Sequence, residues 1–522
     1  ALSSVPERRF GKDAAQILLS KYANAGLYCF DADSVTEAIG SLGSDNAQGE
    51  IYLTDALEWF ARKSQVVPFE VLCADEMLTY STRPELREMS RKFMRKASEC
   101  LADEECAPWR AVLEKFVERF GDRPVVLTSA PGRVNLMGRH IDHRGGSINV
   151  MTTSQATYMA ISPRDDDTVC AVNIDGAFAE GSFSISRELD GADRSDPCAK
   201  NWLAFLDRAE SRAKLAASRG NWLNYVKSAV LRLQYSTDFA LCGMDISVGG
   251  DVPCAAGLSS SSTIVVAVAE AVVALNGLNM STRTFVDMCC EGEWFVGSRG
   301  GAGDHAAMKC SLPGKIIHLG FKPFTIGETF PFSPDYAIVI ADSGEKAKKS
   351  ESAGRIYNSR IEDYEAAIEI IRGRFPEHSF PEFRDIAKLP DGELEKVLAV
   401  LKGSVRNIAT YGVEECRRAE KCTELLRYGD YEGLGNLMKE SHDGDRIGGG
   451  KYECSTAKID AMCDALNAMP GVLGSEIVGA GLGGSFIALV RKEAVAPVLA
   501  FLESKGISAI SSFPSGGSRV VF

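Results

Sequence analysis

The chain has 522 residues, of which 45% are apolar and 25% are charged, a balance typical of globular proteins with a buried core. This length predicts roughly two to four domains, and the net charge of −13 excludes a general attraction to nucleic acid or to an anionic membrane. No apolar run approaches the roughly 20 residues that span a bilayer, and no signal-peptide pattern is found. We therefore expect a cytoplasmic protein with neither a nucleic-acid nor a membrane partner.

The 15 cysteines are scattered, without a C-x-x-C pair or a zinc-ligand spacing. This distribution indicates reduced thiols that serve as small core residues.

Residues 1–83 show short strand and helix patterns. Apolar stretches at 25–31 and 66–72 predict strands, and D-N-A-Q-G-E-I-Y-L-T-D at 45–55 leads into an amphipathic helix at 56–63. This α/β segment resembles the C-terminal third of a sugar nucleotidyltransferase domain, where an N-x-x-G-E-x-Y-L-T-D segment lies near the sugar. That family's Gly-rich nucleotide-binding signature is missing. The resemblance implies a remnant, or the end of a bifunctional polypeptide with a covalently linked nucleotidyltransferase domain.

Residues 84–122 carry a helical apolar pattern with dense charge, which predicts a connector of two helices with a solvated charged face. From residue 123 onward, strand and helix patterns mix without strict alternation. This mixture favours an α+β fold over a doubly wound sheet.

The segment P-C-A-A-G-L-S-S-S-S at 253–262 stands between an alternating apolar run (241–248) and a helical pattern (263–275). A small-residue turn that opens a helix directs backbone N–H groups and the positive end of the helix dipole to one point. Serine hydroxyls add ligands for phosphate or Mg²⁺. The pattern indicates a triphosphate-binding turn; the alternative is a Ser-rich loop before a buried helix.

Two further Gly-rich segments flank this turn: A-P-G-R-V-N-L-M-G-R-H-I-D-H-R-G-G at 130–146 and G-A-G-L-G-G-S at 479–485. In this order, the three segments resemble the motifs of the GHMP small-molecule kinases, and within them those of galactokinases and galacturonokinases. The resemblance covers about residues 123–522. It implies a two-lobed GHMP kinase fold, with an N-terminal lobe at 123–330, a C-terminal lobe at 331–522 and substrates between them.

The resemblance implies that ATP is bound by the second segment, namely by Pro253, Ala255, Ala256, Gly257, Leu258, Ser259, Ser260, Ser261 and Ser262. It also implies that Ser261 is a Mg²⁺ ligand, together with a glutamate. The family position of that glutamate falls on Gly292, so one of its neighbours would serve instead. We favour Glu293 over Glu291; the alternative is that both are surface helix charges.

The segment G-G-A-G-D-H at 300–305 resembles the galactokinase G-x-x-D segment that carries the catalytic carboxylate. Asp304 would orient or accept the proton of the attacking hydroxyl, and Arg133 would stand beside it and keep it ionised. The alternatives are a turn or helix-cap aspartate and a surface arginine.

The resemblance further implies that Asp142 and His140 contact the sugar and that Gly483 supports the site. Galactokinases carry glutamate at position 139, where it binds the sugar hydroxymethyl group, whereas this chain has Arg139. A cation there favours an anionic partner, which suggests the C6 carboxylate of a uronic acid. The alternative is that Arg139 turns away and binds an acidic residue of the protein.

These features favour an ATP- and Mg²⁺-dependent enzyme that phosphorylates the anomeric hydroxyl of a galactose-like sugar or a uronic acid, with galacturonate preferred. The alternatives are a catalytically silent galactokinase-like sugar sensor, and the kinase half of a bifunctional enzyme that makes nucleotide sugars.

Overall fold

The computed structural model describes residues 32–43, 56, 59, 60, 62, 63, 88, 90–253, 257–297, 300–345 and 351–522, and only the backbone of 32, 33 and 351–358. The chain divides into two compact units, residues 1–82 and 83–522. Within the described residues, no helix is both long enough and apolar enough to cross a membrane.

The first unit contains helix α1, Ala32–Ser41. Ala38, Ala56 and Phe60 form a small apolar cluster, and Lys63 Nζ lies 2.6 Å from Glu37 Oε1. Of the helix predicted at 56–63, residues 56, 59, 60 and 62 are helical. The predicted strands at 25–31 and 66–72 and the segment 45–55 lie outside the described residues.

The second unit mixes helices with two sheets. Its helices, numbered in chain order after α1, are α2 Ala97–Leu101, α3 Arg110–Phe120, α4 Ile185–Glu188, α5 Ala199–Leu206, α6 Ala209–Ala217, α7 Leu223–Ser236, α8 Ser260–Asn276, α9 Thr282–Glu293, α10 Gly303–Cys310, α11 Glu351–Arg374, α12 Phe383–Ala387, α13 Asp391–Ala399, α14 Gly403–Tyr428, α15 Tyr431–Asp445, α16 Ala457–Asn467 and α17 Val495–Ser504. Its strands are β1 Arg95–Lys96, β2 Pro124–Met137, β3 Ser147–Pro163, β4 Thr168–Asn173, β5 Gly181–Ser184, β6 Met244–Gly250, β7 Lys315–Gly320, β8 Thr325–Pro331, β9 Tyr336–Asp342, β10 Val472–Ile477, β11 Ser485–Arg491, β12 Ser508–Ser512 and β13 Arg519–Val521.

The larger sheet has nine strands in the order β1-β2-β3-β6-β4-β5, with β13 also paired to β2, and with β7 joining β3 to β8. Its pairs are antiparallel apart from the parallel pair β4–β6. The smaller sheet, β10-β11-β9-β12, is antiparallel throughout. The α+β class expected from the sequence is therefore confirmed.

Each sheet is covered by helices. On the larger sheet, α8 packs against β2, β3 and α7, and its Val- and Ala-rich sequence places twelve buried residues along its length. On the smaller sheet, α15 and α16 pack against β10, and α17 packs against β9 and β12. The predicted lobe boundary at 330/331 falls near the end of β8. The predicted C-terminal lobe includes residues 519–521, but these form β13, which pairs with β2 of the larger sheet.

The segment 84–122, predicted as a connector, contains α2 and α3 and packs on the larger sheet. Trp109 is 1% exposed, and its indole N–H donates to the Thr128 carbonyl oxygen at 2.7 Å. Its ring meets that of Tyr158 edge-on, with centroids 5.4 Å apart. The described part of this segment is therefore integral to the second unit.

Replacing Trp109 with Ala should lower the free energy of unfolding by about 3–5 kcal/mol, because it leaves a cavity and removes the hydrogen bond to the Thr128 carbonyl oxygen. Chemical denaturation monitored by circular dichroism measures this change. Arg110→Ala alters an exposed neighbour and should change the stability by less than about 0.5 kcal/mol. Equal stability of the two variants would contradict the role of Trp109.

Candidate active site

The three Gly-rich segments come together where β2 passes the start of α8 and the end of β10. A Cβ atom on Gly132 would lie 2.8 Å from Thr153 Oγ1 and 3.3 Å from the Leu258 carbonyl oxygen. A Cβ atom on Gly257, whose φ is +74°, would lie 2.7 Å from the Val478 carbonyl oxygen. Glycine is needed at both positions because the backbones approach so closely. The second segment thus lies between the first and the third.

The predicted ATP-binding residues lie at the start of α8, apart from Ala255 and Ala256, which fall outside the described residues. Ser259 precedes the helix in the left-handed region, with φ of +58°, and Ser260 to Ser262 form its first turn. The first N–H groups of a helix have no partner within the helix. Since α8 has 17 residues, its dipole and these N–H groups together suit an anion.

Arg133 joins this turn to the predicted catalytic aspartate. Its Nε donates to Asp304 Oδ1 at 2.6 Å, and its Nη1 donates to the Gly257 carbonyl oxygen at 2.7 Å. The hydroxyl of Ser259 donates to the second oxygen of Asp304. Arg133 is buried, whereas the Asp304 side chain is 30% exposed. The carboxylate is therefore held in a fixed orientation while remaining accessible to a substrate.

Asp142 lies against the Gly-rich turn that leads to Asp304. It accepts hydrogen bonds from the Gly303 N–H at 3.0 Å and from His143 Nδ1 at 3.3 Å. Burial by itself would raise the pKa of Asp142, but these hydrogen bonds and the nearby His143 hold it at about 2. Asp142 is therefore ionised at neutral pH, and both of its oxygens act only as hydrogen-bond acceptors.

The two glutamates beside Gly292 face different partners. Glu291 accepts from Arg232 Nη2 at 2.6 Å and from its Nε at 2.8 Å. Glu293 accepts from the Ser262 hydroxyl at 2.8 Å and lies 3.0 Å from His305 Nε2. The carboxylate that reaches the serine run is therefore that of Glu293, and its direct partner there is Ser262.

Arg139 points into the protein. Its side chain is 1% exposed, its Nη2 lies 2.7 Å from Asp445 Oδ2 and its Nη1 lies 2.5 Å from Glu476 Oε2. The Ser441 hydroxyl accepts a further bond from Nη2 at 2.8 Å. Of the two arrangements expected for Arg139, this is the one in which acidic residues of the protein bind it. The uronate hypothesis thereby loses the cation on which it was based.

The pKa values of the acids around Arg139 are shifted in different directions. Burial raises the pKa of Glu476 to about 8, although Arg139 opposes this, and burial likewise raises the pKa of Asp445. For Glu415, burial is outweighed by Arg418, Arg139 and hydrogen bonds, so its pKa is lowered. Glu415 also accepts from the backbone N–H of Gly138 at 2.8 Å, which anchors the loop that carries Arg139.

His140 adopts a left-handed conformation, with φ of +64°. Its ring stacks on Tyr452 with centroids 4.4 Å apart, and Nε2 lies 3.5 Å from Cys454 Sγ. Burial and the adjacent Arg139 hold the pKa of His140 well below its usual range, so the imidazole is neutral.

In the third Gly-rich segment, Gly483 has φ of +113°.

Sequence reasoning missed the residues that support this loop. All of these residues are buried next to Arg139 or His140, and they are Glu415, Ser441, Asp445, Tyr452, Cys454 and Glu476. One signal was available, because Glu476 is a lone carboxylate within the apolar stretch G-V-L-G-S-E-I-V, and a buried acid requires a partner.

Three family models match the chain. Residues 114–163 match the galactokinase galactose-binding signature, residues 224–311 match the GHMP kinases N terminal domain, and residues 422–508 match the GHMP kinases C terminal model. With the sheets, the Gly-rich turns and the Arg133–Asp304 pair described above, these matches define the chain as a GHMP kinase.

The galactokinase of Roseiflexus sp. (strain RS-1) is 30% identical over 383 residues, which cover 73% of this chain and 88% of that relative. The galactokinase of Homo sapiens is 29% identical over 394 residues, which cover 73% of this chain and 87% of that relative. The crystal structure of Lactococcus lactis galactokinase complexed with galactose aligns with a TM-score of 0.65 at 24% identity, over 78% of this chain and 98% of that one. The chain belongs to the galactokinase family and is a sugar kinase.

Replacing Gly301 with Ala should abolish most of the kinase activity while leaving the fold intact. The new Cβ atom would lie 2.0 Å from Asp142 Oδ2, so either Asp142 or the turn before Asp304 must move, and a shift of about 1 Å costs on the order of 10²-fold in rate. ATP turnover and the thermal midpoint measure the two effects. Gly373→Ala, where the Cβ atom meets nothing within 4 Å, is the control; equal activity of both variants would contradict the close packing.

Proposed function

We propose that the chain transfers the γ-phosphoryl group of ATP, with Mg²⁺, to the anomeric hydroxyl of galactose or a closely similar neutral sugar. The observation that carries this proposal is the contact of Arg133 with both Asp304 and the Gly257 carbonyl oxygen. It joins a cation, an accessible carboxylate and a phosphate-binding turn within hydrogen-bonding distance. Phosphoryl transfer depends on held phosphates, positive charge near the transferred group and a group that orients the attacking hydroxyl.

ATP would lie with its phosphates at the start of α8. Hydrogen-bond donors there come from the serines of the first turn of α8 and from the other described residues of the segment 253–262. Glu293 and the serine hydroxyls are oxygen ligands of the kind that Mg²⁺ prefers, so the donor set fits this ion. Glu293 with Ser261 or Ser262 would hold Mg²⁺, which neutralises phosphate charge when bound.

In the reaction, the anomeric oxygen attacks the γ-phosphorus and the bond to the ADP oxygen breaks. Asp304 accepts or orients the proton of the attacking hydroxyl, and its bonds from Arg133 and Ser259 fix its direction. Arg133 adds positive charge beside the transferred group. Asp142, ionised and held against the Gly-rich turn, accepts from sugar hydroxyls, and neutral His140 is a second sugar contact.

The preference for a neutral sugar is based on Arg139. To bind a substrate carboxylate, the guanidinium would have to give up its buried contacts with Asp445 and Glu476, and breaking such contacts of a buried charge is costly. Galactose has no charge to satisfy. The nucleotidyltransferase resemblance of residues 1–83, with a linked transferase activity, stays a prediction, and an upstream Gly-rich signature in the full reading frame would support it.

The first experiment measures ATP consumption with Mg²⁺ on galactose, galacturonate, glucuronate, arabinose and fucose. We expect turnover on galactose, reduced about 10²-fold or more in Asp304→Asn because the proton acceptor is lost. Asp287→Asn, a partly exposed carboxylate on α9, serves as the matched control. Sugar binding without turnover would favour the sensor alternative, and turnover only on a uronic acid would overturn the neutral-sugar preference.

The role of Arg139 is tested by exchanging charges. Arg139→Glu alone should lower the free energy of unfolding by about 3–5 kcal/mol, because it leaves buried carboxylates without their cation. Adding Glu476→Arg should restore part of this loss, as measured by denaturant unfolding of the single and double variants.

The alternative makes the opposite prediction. If Arg139 binds a uronate, Arg139→Glu keeps its stability and shifts the preference from galacturonate towards galactose.

A further inference from the structure

Three buried side chains with metal-binding atoms meet beside the predicted sugar site. The Sγ of Cys454 lies 3.5 Å from His140 Nε2 and 3.3 Å from Asp445 Oδ1. Within the described residues, this is the group of histidine, cysteine and acidic side chains whose ligand atoms all lie within 4.8 Å of one another. All three residues are buried, so they do not form an incidental surface cluster.

The spacing of these atoms suits a tetrahedral ion. Metal–ligand bonds of about 2.0–2.3 Å at tetrahedral angles place neighbouring ligand atoms about 3.3–3.6 Å apart. The two distances to Cys454 Sγ fall at this separation, so an ion could enter with small adjustments of the side chains. A thiolate and an imidazole select Zn²⁺ or Cd²⁺ rather than Mg²⁺, which distinguishes this site from the one at the phosphates.

The surroundings orient the carboxylate as an outer ligand shell does. One oxygen of Asp445 faces Cys454, while the other accepts from Arg139 Nη2 at 2.7 Å. A ligating carboxylate is typically held in this way by a second hydrogen bond. The aromatic ring of Tyr452 covers one face of His140, which fixes the direction of the imidazole.

Two nearby guanidinium groups would repel a metal ion at this site. Arg139 is adjacent, and the Arg360 guanidinium lies 4.8 Å above the Tyr452 ring. A thiolate and a carboxylate cancel the two charges of the ion, so the guanidinium groups would face a neutral unit. Arg139 would keep Glu476 as a direct partner.

We propose that His140, Asp445 and Cys454 form a binding site for a thiophilic divalent cation of the Zn²⁺ class, and that occupancy inhibits the kinase. The ion would join the loop after β2 to the end of α15 and to the segment before α16, and so link the elements of the two sheets. It would also withdraw His140 from the sugar. This inhibition is based on the proposed function, whereas metal binding itself is not.

The test uses the full chain after removal of metals by a chelator. Zn²⁺ binding is measured by equilibrium dialysis, and Cd²⁺ binding is measured by the ultraviolet charge-transfer band of a cadmium–thiolate bond, both without sugar. We expect one tight site per chain, lost in Cys454→Ala and in His140→Gln. Cys463→Ala, which removes another buried thiol on α16, should keep it. Unchanged binding in Cys454→Ala, or no tight site in the wild type, would overturn the proposal.

A measurement on the wild type guards against misfolded variants. X-ray absorption of the Zn²⁺-loaded protein should show one sulfur ligand at about 2.3 Å with nitrogen or oxygen ligands completing the shell. Two or more sulfur ligands would mean that zinc binds elsewhere.

The effect on activity is measured separately. Zn²⁺ should raise the apparent KM for galactose in the wild type and in Cys463→Ala. Metal binding without this change would overturn the inhibition, while absence of any kinase activity would count against the proposed function alone.

Discussion

The arrangement of the site depends on the hydrogen bonds that the buried Arg133 guanidinium donates. It is carried by β2, a central strand of the larger sheet, and it binds both the turn before α8 and the carboxylate at the start of α10. These three elements are far apart in sequence, so their hydrogen bonds can be satisfied together only if the sheet and both helices hold their positions. Burial strengthens the ion pair by lowering the local dielectric. A rigid core therefore holds the Asp304 carboxylate in a fixed position.

A second constraint comes from the buried charge of Arg139. An isolated guanidinium in the interior would be prohibitively costly, and the fold surrounds it with carboxylates from α14, α15 and β10. Two consequences follow. The loop after β2 is bound to elements of the smaller sheet, and the Arg139 guanidinium has acidic residues of the protein as its partners. The same loop carries His140 and Asp142, the proposed sugar contacts, so a charge change at position 139 would also alter where these two side chains lie.

Much of the fold and part of the site could be predicted from the residues together with the family resemblance that their motifs carry. The Gly-rich segments predict a turn that opens a helix, and the helical pattern at 263–275 corresponds to α8, Ser260–Asn276. The family resemblance places Arg133 beside Asp304, and the two side chains lie in contact. Sequence position does not separate Glu291 from Glu293, because both flank Gly292. Only the direction of each side chain from α9 separates them, with Glu291 on Arg232 and Glu293 on Ser262.

The sequence by itself determined the α+β class, the order of the Gly-rich turns and the chemistry that these residue types can perform. These properties are local, because glycine conformation, helix periodicity and side-chain acidity depend on few neighbours. Tertiary structure determined which groups Arg139 contacts, since its partners Asp445 and Glu476 are more than 300 positions away along the chain. It also brought His140 to Cys454 and returned β13 to β2. Such pairings depend on how distant elements pack, which no single segment encodes.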